Sequence, residues 1–284
     1  MTLPEVKEFI MNSLSAIYDK QETLAIANTL LSHVLSPAVH QSFDNIAPSK
    51  LHASDIANIK EAVKRLLKKE PLQYILEEAW FYNLPFLVNK HVLIPRPETE
   101  ELVDLIINEY PGRGAVRILD IGTGSGCIPV TLKKNIELAE VYGLDVSGDA
   151  LLVASANAQK NRVQVQWVQA DILLPGTIKL PKLDIIVSNP PYITEAEKKE
   201  MHANVLEYEP HLALFVDDTN PLQFYEAISK YASSQLKKGG QLYFEINASY
   251  GNEVKACMEQ HGFNLVTIIK DMQGKNRFVS GRLA

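Results

Sequence analysis

Leu119-Asp120-Ile121-Gly122-Thr123-Gly124-Ser125-Gly126 marks the point where an apolar run of strand type gives way to a helical stretch. Three glycines at alternate positions let the backbone turn sharply and let a ligand come close, while the helix that follows offers free amides. The spacing is Gly-x-Gly-x-Gly, one residue shorter than the dinucleotide pattern, and such a loop also serves as a plain tight turn. Its surroundings decide the fold. Residues 116–121, 141–146, 163–168, 183–187, 241–246 and 263–269 are apolar strand candidates. Helical stretches follow the first two, and another spans 222–236 and closes at Gly239-Gly240. Near-continuous apolar strands alternating with helices predict an α/β fold whose mainly parallel sheet is covered on both faces.

Before the sheet, the chain reads differently. Val6, Phe9, Ile10, Leu14 and Ile17 repeat at helical spacing, as do Leu24, Ala27, Leu30, Leu31 and Val34. A third helix is predicted after Ser54 as N-cap, through Ile56, Ile59, Val63, Leu66 and Leu67, stopping before Pro71. Tyr74, Trp80, Phe81, Tyr82, Phe86 and Val88 are strand formers interrupted by Asn83 and Pro85, which predicts a short β-hairpin. Pro95-Arg96-Pro97 stiffens the chain, and Pro97 opens a helix with an apolar face of Leu102, Val103, Leu105 and Ile106 that ends near Pro111-Gly112. The expected organisation is a small all-helical domain at 1–70, a hairpin linker at 71–97 and a sheet domain at 98–284.

The 284 residues suffice for one large domain or two unequal ones without disulfides or metal. Basic side chains number 28 against 34 acidic ones, for a net charge of −6. Residues 1–90 hold 9 basic and 10 acidic groups, so neither part of the chain is basic. Nonspecific nucleic-acid binding rests on Lys and Arg contacts to phosphate, and this balance argues against it. Cys127 and Cys257 are too few for a disulfide framework, and no Cys/His spacing resembles a zinc site. His33, His40, His52, His91, His202, His211 and His261 are scattered, and no metal is expected. Acidic residues within the first ten positions argue against a secretory or transit signal. No apolar stretch reaches ~18 residues, which argues against a membrane span. A reducing cytoplasmic setting is the expectation.

Asp145 ends the second strand, 19 residues past Gly126. In a doubly wound sheet a carboxylate there lies beside the first loop and can accept both hydroxyls of a ribose. Asp171, after the third strand, offers a second carboxylate suited to an adenine amino group, with Ile172 as an apolar wall for the ring. Each aspartate also fits a loop or cap role. Asp120, still within the strand, can hold a ligand ammonium through water or brace the loop amides. The combination looks like the S-adenosylmethionine site of Rossmann-like methyltransferases, and the pyrophosphate pattern of NAD enzymes fits less well.

The fourth strand runs straight into Asn189-Pro190-Pro191-Tyr192. Two prolines fix φ near −65° and leave carbonyls free to accept, which gives a rigid turn suited to a clamp. An amide or amino nitrogen that attacks a methyl group needs both N–H bonds accepted and its lone pair aimed at the carbon. The Asn189 side-chain oxygen and the Pro190 carbonyl can do this, with Tyr192 packed on the planar group. Positioning of this kind contributes about 7–11 kcal/mol in favourable cases, and no general base is needed before the methyl moves. A proline turn with an Asx cap is the plainer reading. Both motifs fall on the carboxyl edge of one sheet, where ligands bind in such folds.

With these residues the chain resembles the HemK/PrmC release-factor glutamine methyltransferases. The resemblance runs through Pro71-Leu72-Gln73-Tyr74-Ile75, Phe81-Tyr82 with Pro85-Phe86, and Leu93-Ile94-Pro95-Arg96-Pro97-Glu98-Thr99-Glu100. It continues in Asp120 to Cys127, Val187 to Tyr192, Tyr208-Glu209-Pro210, and Asp271 with Gly274, Lys275 and Arg277. It implies methyl transfer from S-adenosylmethionine, yielding S-adenosylhomocysteine, to the glutamine side-chain nitrogen in the Gly-Gly-Gln loop of class 1 peptide-chain release factors. It also implies that Gly122, Thr123, Gly124, Ser125, Gly126, Asp145 and Asn189 contact the cofactor, and that Asn189, Pro190, Pro191 and Tyr192 hold the glutamine. Asn189, Pro190 and Tyr192 are the catalytic candidates. The helical domain is then the substrate-recognition module or a stabiliser of the catalytic one. A monomer is expected, with neither nucleic acid nor membrane as partner.

The chain departs from the family pattern at Glu77, Asn83 and Asn247, where the family usually has glycine, and at Ile172, where some members have tryptophan. Arg96 and Glu98 are read either as pocket-shaping residues or as an ion pair at the helix start, and Lys68-Lys69 and Lys237-Lys238 as solvated helix ends. Two other classes use similar residues. An adenine-N6 DNA methyltransferase carries the same tetrapeptide but needs a basic surface for DNA. A cofactor-binding partner subunit without activity would not need the full set of groups present here.

Overall fold

The computed structural model describes residues 1–35, 50–110 and 115–284, which form two compact units. Pro111-Gly112, where a helix stop is expected, and His40 lie outside the described residues. The first unit comprises Met1–Glu78 with Ala203–Tyr208, and the second comprises Ala79–His202 with Glu209–Ala284. No described helix is long and apolar enough to cross a membrane.

The first unit is helical: α1 (Leu3–Leu14), α2 (Lys20–Val34), α3 (Ala53–Leu66) and a short α4 (Leu72–Leu76). Asp19 starts α2 by accepting the Glu22 amide at 2.8 Å, the N-cap bond expected of an aspartate at that position. Val6, Ile10, Leu14, Ala27, Leu30, Leu31, Ile59, Val63 and Leu66 form its buried core, as the helical spacing predicts. Ile17 and Leu24 share that spacing but are exposed. The third helix starts earlier than its sequence suggests. His52 is the N-cap, and the Ser54 hydroxyl turns instead to Asp55 Oδ1 at 3.4 Å. Tyr74, read as a strand former, is buried in α4, whose N-cap is Pro71. Glu77 closes α4 in the left-handed region at φ 54°, its amide bonded to the Gln73 carbonyl. A helix cap of this shape favours glycine, so the Glu77 side chain sits where its own Cβ costs about 1 kcal/mol. The Tyr208 hydroxyl donates to the Lys68 carbonyl at 2.9 Å and ties Ala203–Tyr208 into this unit.

The hairpin pairs β1 (Glu78–Phe81) with β2 (Leu84–Leu87) through Tyr82 and Asn83, whose φ values are 49° and 58°. Positive φ at both central residues is the turn that matches strand twist, and asparagine tolerates it better than most residues. Tyr82 is held there by its amide to Glu100 Oε1 at 2.9 Å and its hydroxyl to Asp104 Oδ1 at 2.8 Å. Phe81 and Phe86 are fully buried, edge to face, in a core of the second unit.

That unit is built on a seven-stranded sheet in the order β10-β11-β9-β6-β3-β4-β5. The strands are β3 (Arg117–Ile121), β4 (Glu140–Asp145), β5 (Gln166–Gln169), β6 (Leu183–Ser188), β9 (Leu236–Glu245), β10 (Phe263–Lys270) and β11 (Asn276–Leu283). The pair β7 (Ile193–Thr194) and β8 (Phe215–Val216) forms a separate small sheet. Five strands run parallel, and β11 pairs antiparallel with both β9 and β10. The sheet is therefore mixed. Strand β11 lacks the apolar run that marks the others, because Arg277, Ser280 and Gly281 interrupt it. Leu236 is extended (ψ 150°), so the helix Gln223–Gln235 stops there and Gly239-Gly240 lie inside β9 rather than at a helix end. Lys237 is correspondingly a strand residue that pairs with Asp184 at 2.8 Å.

Two apolar layers sandwich the sheet. One face packs against α5 (Pro97–Glu109), α6 (Cys127–Asn135) and α7 (Gly148–Lys160), the other against the helices Gln223–Gln235 and Gly251–Gln260. Pro97 is the first residue of α5, and Leu102, Val103 and Ile106 bury its apolar face as expected, with Leu105 half-buried. Asn157 of α7 is fully buried and joins three segments. Its Oδ1 accepts the Leu87 amide at 2.6 Å, and its Nδ2 donates to the Leu87 and Ser125 carbonyls, both at 2.9 Å. Asn157→Ala removes these partners together and is expected to destabilise the protein by roughly 3 kcal/mol in urea unfolding. A loss below about 0.5 kcal/mol contradicts that assignment.

Candidate active site

The parallel register sets the site. Ile121 pairs with Leu144 on β4 and with Ser188 on β6, and Ser188 pairs with Phe244 on β9. One step further along each strand lie Gly122, Asp145, Asn189 and Glu245, which therefore share one row at the carboxyl edge of the sheet. Strand order reverses between β3 and β6, and crevices in open α/β sheets form at such switch points. A cavity of about 310 Å³ opens there. Gly122, Gly124, Asp145, Asp171, Ile172, Asn189, Pro190 and Pro191 line it.

The glycine loop is held from beneath. Gly122, Gly124 and Gly126 all have positive φ, and a Cβ on Gly126 would meet Ala154 Cβ at 3.0 Å. The Gly122 and Thr123 amides donate to the Leu144 carbonyl at 2.8 and 3.0 Å. Asp145 Oδ2 accepts the Gly124 amide at 2.8 Å, and Oδ1 accepts the Ser147 amide at 2.9 Å. Asp145 thus braces the loop while still facing the cavity, and each oxygen keeps a lone pair for a ligand. Burial raises its pKa, partly offset by those amides. Thr123, Ser125 and Gly126 shape the loop without lining the cavity.

Asp120 does not brace the loop amides. It is fully buried, neither oxygen has a hydrogen-bond partner, and it does not line the cavity. Burial pushes its pKa up to about 7; the Thr123 hydroxyl beside it lowers it somewhat and the Asp145 charge raises it. The loop brace is Asp145, not Asp120.

Asp171 fills a turn role and also faces the cavity. Its Oδ1 accepts the Leu173 amide at 2.9 Å as a turn residue, and it also lines the cavity beside buried Ile172. Arg96 does not pair with Glu98. It reaches Glu209, whose buried side chain accepts the guanidinium at 2.6 Å and the Ile94 amide at 3.1 Å. This pair ties together two wall segments of the cavity, residues 90–93 and 210–213.

At the fourth strand end, the Ser188 hydroxyl donates to the Ile121 carbonyl at 2.6 Å and locks the two loops side by side. The Asn189 carbonyl lies 4.0 Å from where a Cβ on Gly122 would sit. Asn189 Nδ2 donates to Thr99 Oγ1 at 3.2 Å, and Thr99 donates to Glu245 Oε2 at 2.7 Å. Tyr192 does not line the cavity; its hydroxyl lies 3.4 Å from Glu245 Oε1, and burial pushes its pKa up. Glu245 is fully buried with its pKa raised by burial to about 7, against the lowering pull of Thr99 and Arg277. Thr99 lies in the Leu93 to Glu100 run and Glu245 in the 241–246 strand candidate, and neither stands out by spacing. Their partnership spans 146 residues, and periodicity carries no trace of it. Asn247 at φ −64° needs no glycine; it caps the next turn and donates to Glu197 at 3.0 Å. Burial raises the Cys127 thiol to about 12, so it offers no thiolate.

Residues 99–211 match the family described as "Methyltransferase small domain". The chain is 42% identical over 286 residues to a release factor glutamine methyltransferase of Flavobacterium psychrophilum, covering 98% of each chain. It is 43% identical over 277 residues to one of Bacteroides thetaiotaomicron, covering 97% of this chain and 98% of the relative. Among solved structures, a methyltransferase from Pyrococcus furiosus shares the fold at a TM-score of 0.51 and 18% identity, covering 81% of this chain and 98% of that one.

A carboxyl whose pKa is higher folded than unfolded disfavours folding as pH rises between the two values. For Asp120 that window runs from 3.8 to about 7. Asp120→Asn is therefore expected to raise the melting temperature at pH 8 by more than at pH 5, as read by calorimetry. An equal effect at both pH values contradicts the raised pKa.

Proposed function

This chain belongs to the release factor glutamine methyltransferase family, and from that premise we propose how its site carries out the reaction. It transfers a methyl group from S-adenosylmethionine to the side-chain amide nitrogen of the glutamine in the Gly-Gly-Gln motif of class 1 release factors. The observation that carries this reading is the shared row of Gly122, Asp145 and Asn189 around one cavity.

The residues present fit the cofactor. The cavity is large enough for a small ligand, and open space lies where a Gly124 side chain would stand. Bound there, S-adenosylmethionine would supply an electrophilic sulfonium methyl, with S-adenosylhomocysteine as the thioether leaving group when the substrate nitrogen bonds to the methyl carbon. Asp145 accepts the ribose hydroxyls with its remaining lone pairs. Asp171 accepts from the adenine amino group, and Ile172 walls the ring. Gly122 and Gly124 keep side chains out of the way.

Asn189 accepts one N–H of the substrate amide through Oδ1, and the Pro190 carbonyl accepts the other. Both bonds hold the amide plane and aim the nitrogen lone pair. Pro191 keeps the turn rigid, and Tyr192, which does not line the cavity, backs the turn through its hydroxyl contact with Glu245. None of these groups removes a proton before the transfer, and the surplus proton leaves afterwards to water. The helical unit, which has a core of its own, recognises the release factor away from the glutamine. The net charge of −6 supports a protein rather than a nucleic-acid substrate. The two buried, unpaired cysteines suit a reducing cytoplasmic setting.

Radiolabelled S-adenosylmethionine offered with release factor, a Gln-to-Ala form of its Gly-Gly-Gln loop and duplex DNA tests the reading. Label on the intact factor alone is expected; label on DNA, or equally on the Gln-to-Ala form, sinks it. Asn189→Ala is expected to lose most turnover yet bind cofactor, and calorimetry showing no binding would contradict that division. Asp145→Ala is expected to weaken cofactor affinity. Unchanged affinity rejects the ribose assignment.

A further inference from the structure

The amide of Asn189 has two nearly identical ends, and only one of them can accept a substrate N–H. If Nδ2 faced the cavity, two donors would meet and the glutamine would be repelled. Something must set the polarity of this side chain.

We propose that Thr99 and Glu245 are positioning residues that fix which end of the Asn189 amide faces the substrate, by a directional chain of hydrogen bonds from Asn189 through Thr99 to Glu245. The inference rests on the role given to Asn189 above. A hydroxyl has one proton to give. Thr99 gives it to Glu245 Oε2 at 2.7 Å, so toward Asn189 its oxygen can only accept, and Nδ2 fills that place at 3.2 Å. Oδ1 is left to the cavity. An ionised carboxylate accepts and cannot donate, which makes Glu245 the end that orients the chain. Its other oxygen meets a second donor, the Tyr192 hydroxyl, at 3.4 Å. The carboxylate thus also restrains the tyrosine of the tetrapeptide.

Protonation of Glu245 reverses the logic. A neutral acid can donate to Thr99, whose proton is then free for Asn189 Oδ1, and the amide turns its Nδ2 to the substrate. Groups on every neighbouring element bear on this carboxyl. Arg277 on β11 favours the charged form, although it shares its charge with Asp271 at 3.1 Å. Glu98 on α5 opposes it. Tyr192 donates from the tetrapeptide, and Tyr225 on the helix Gln223–Gln235 reaches the Glu245 main-chain carbonyl at 3.4 Å. Burial dominates and brings the titration to about 7. Turnover is therefore expected above that pH and lost as pH falls through it.

The test measures kcat, KM for release factor, cofactor affinity and the pH profile for the wild type and four variants. Thr99→Val keeps the volume and removes the hydroxyl; a roughly tenfold to hundredfold fall in kcat is expected, with cofactor affinity retained. Thr99→Ser keeps the hydroxyl and is expected to retain most activity. A packing role predicts the opposite order, so Thr99→Val turning over faster than Thr99→Ser overturns the proposal. Glu245→Gln is expected to abolish the acid limb of the kcat profile. A limb that persists unchanged in Glu245→Gln belongs to another group, such as Asp120, and also overturns the proposal. Asn189→Ala separates the two claims. If it turns over like the wild type, the role of Asn189 itself has failed; if it is inactive while Thr99→Val is fully active, only the orienting chain has failed.

Discussion

The site depends on the register of four parallel strands, β4, β3, β6 and β9. A shift of one residue in any pair would turn every side chain of that strand to the opposite face. It would also move Asp145, Asn189 or Glu245 out of the row that begins at Gly122. Register is pinned at the strand ends themselves, by the Leu144 carbonyl accepting two loop amides and by the Ser188 hydroxyl bonded to the Ile121 carbonyl. The bonds that hold the sheet in register are thus the bonds that place Gly122, Asp145, Asn189 and Glu245 in one row.

Three carboxyls in and below this row, Asp120 and Glu245 fully buried and Asp145 partly so, have pKa values raised by burial, and they differ in their partners. Asp145 offsets its desolvation by accepting two backbone amides and stays open to the cavity. Glu245 is satisfied by two hydroxyls and is the far end of the chain to Asn189. Asp120 has no hydrogen-bonded partner among the described residues, and burial outweighs the lowering pull of the nearby Thr123 hydroxyl. Such costs are tolerated where a core is large enough to carry them, and both faces of this sheet are covered by continuous apolar layers.

Much of this was legible in the sequence, because the relevant signals are local. The helical spacing of Val6, Ile10 and Leu14, the opening of α5 at Pro97, and the glycine and Asn-Pro-Pro-Tyr turns each sit within a few residues. The alternation of apolar strands and helices gave the α/β class, and the resemblance gave the family. What escaped is nonlocal or masked by composition. Strand β11 carries Arg277, Ser280 and Gly281, so its pairing with β9 leaves no apolar run. The Thr99 to Glu245 bond joins α5 to β9, and the Arg96 to Glu209 pair joins two distant walls. Asp145 rather than Asp120 braces the loop, because which carboxylate meets the loop amides depends on the turn, not on spacing. Glu77 and Asn83 show the converse: departures from a glycine pattern do mark backbone in the left-handed region.

The central claim is that this row of residues holds one amide nitrogen and no other nucleophile in line with a methyl group. Tandem mass spectrometry of release factor after a single round of reaction tests it most directly. One methyl is expected, on the side-chain nitrogen of the Gly-Gly-Gln glutamine. A methyl on a lysine, on a main-chain nitrogen or spread over several residues would contradict it.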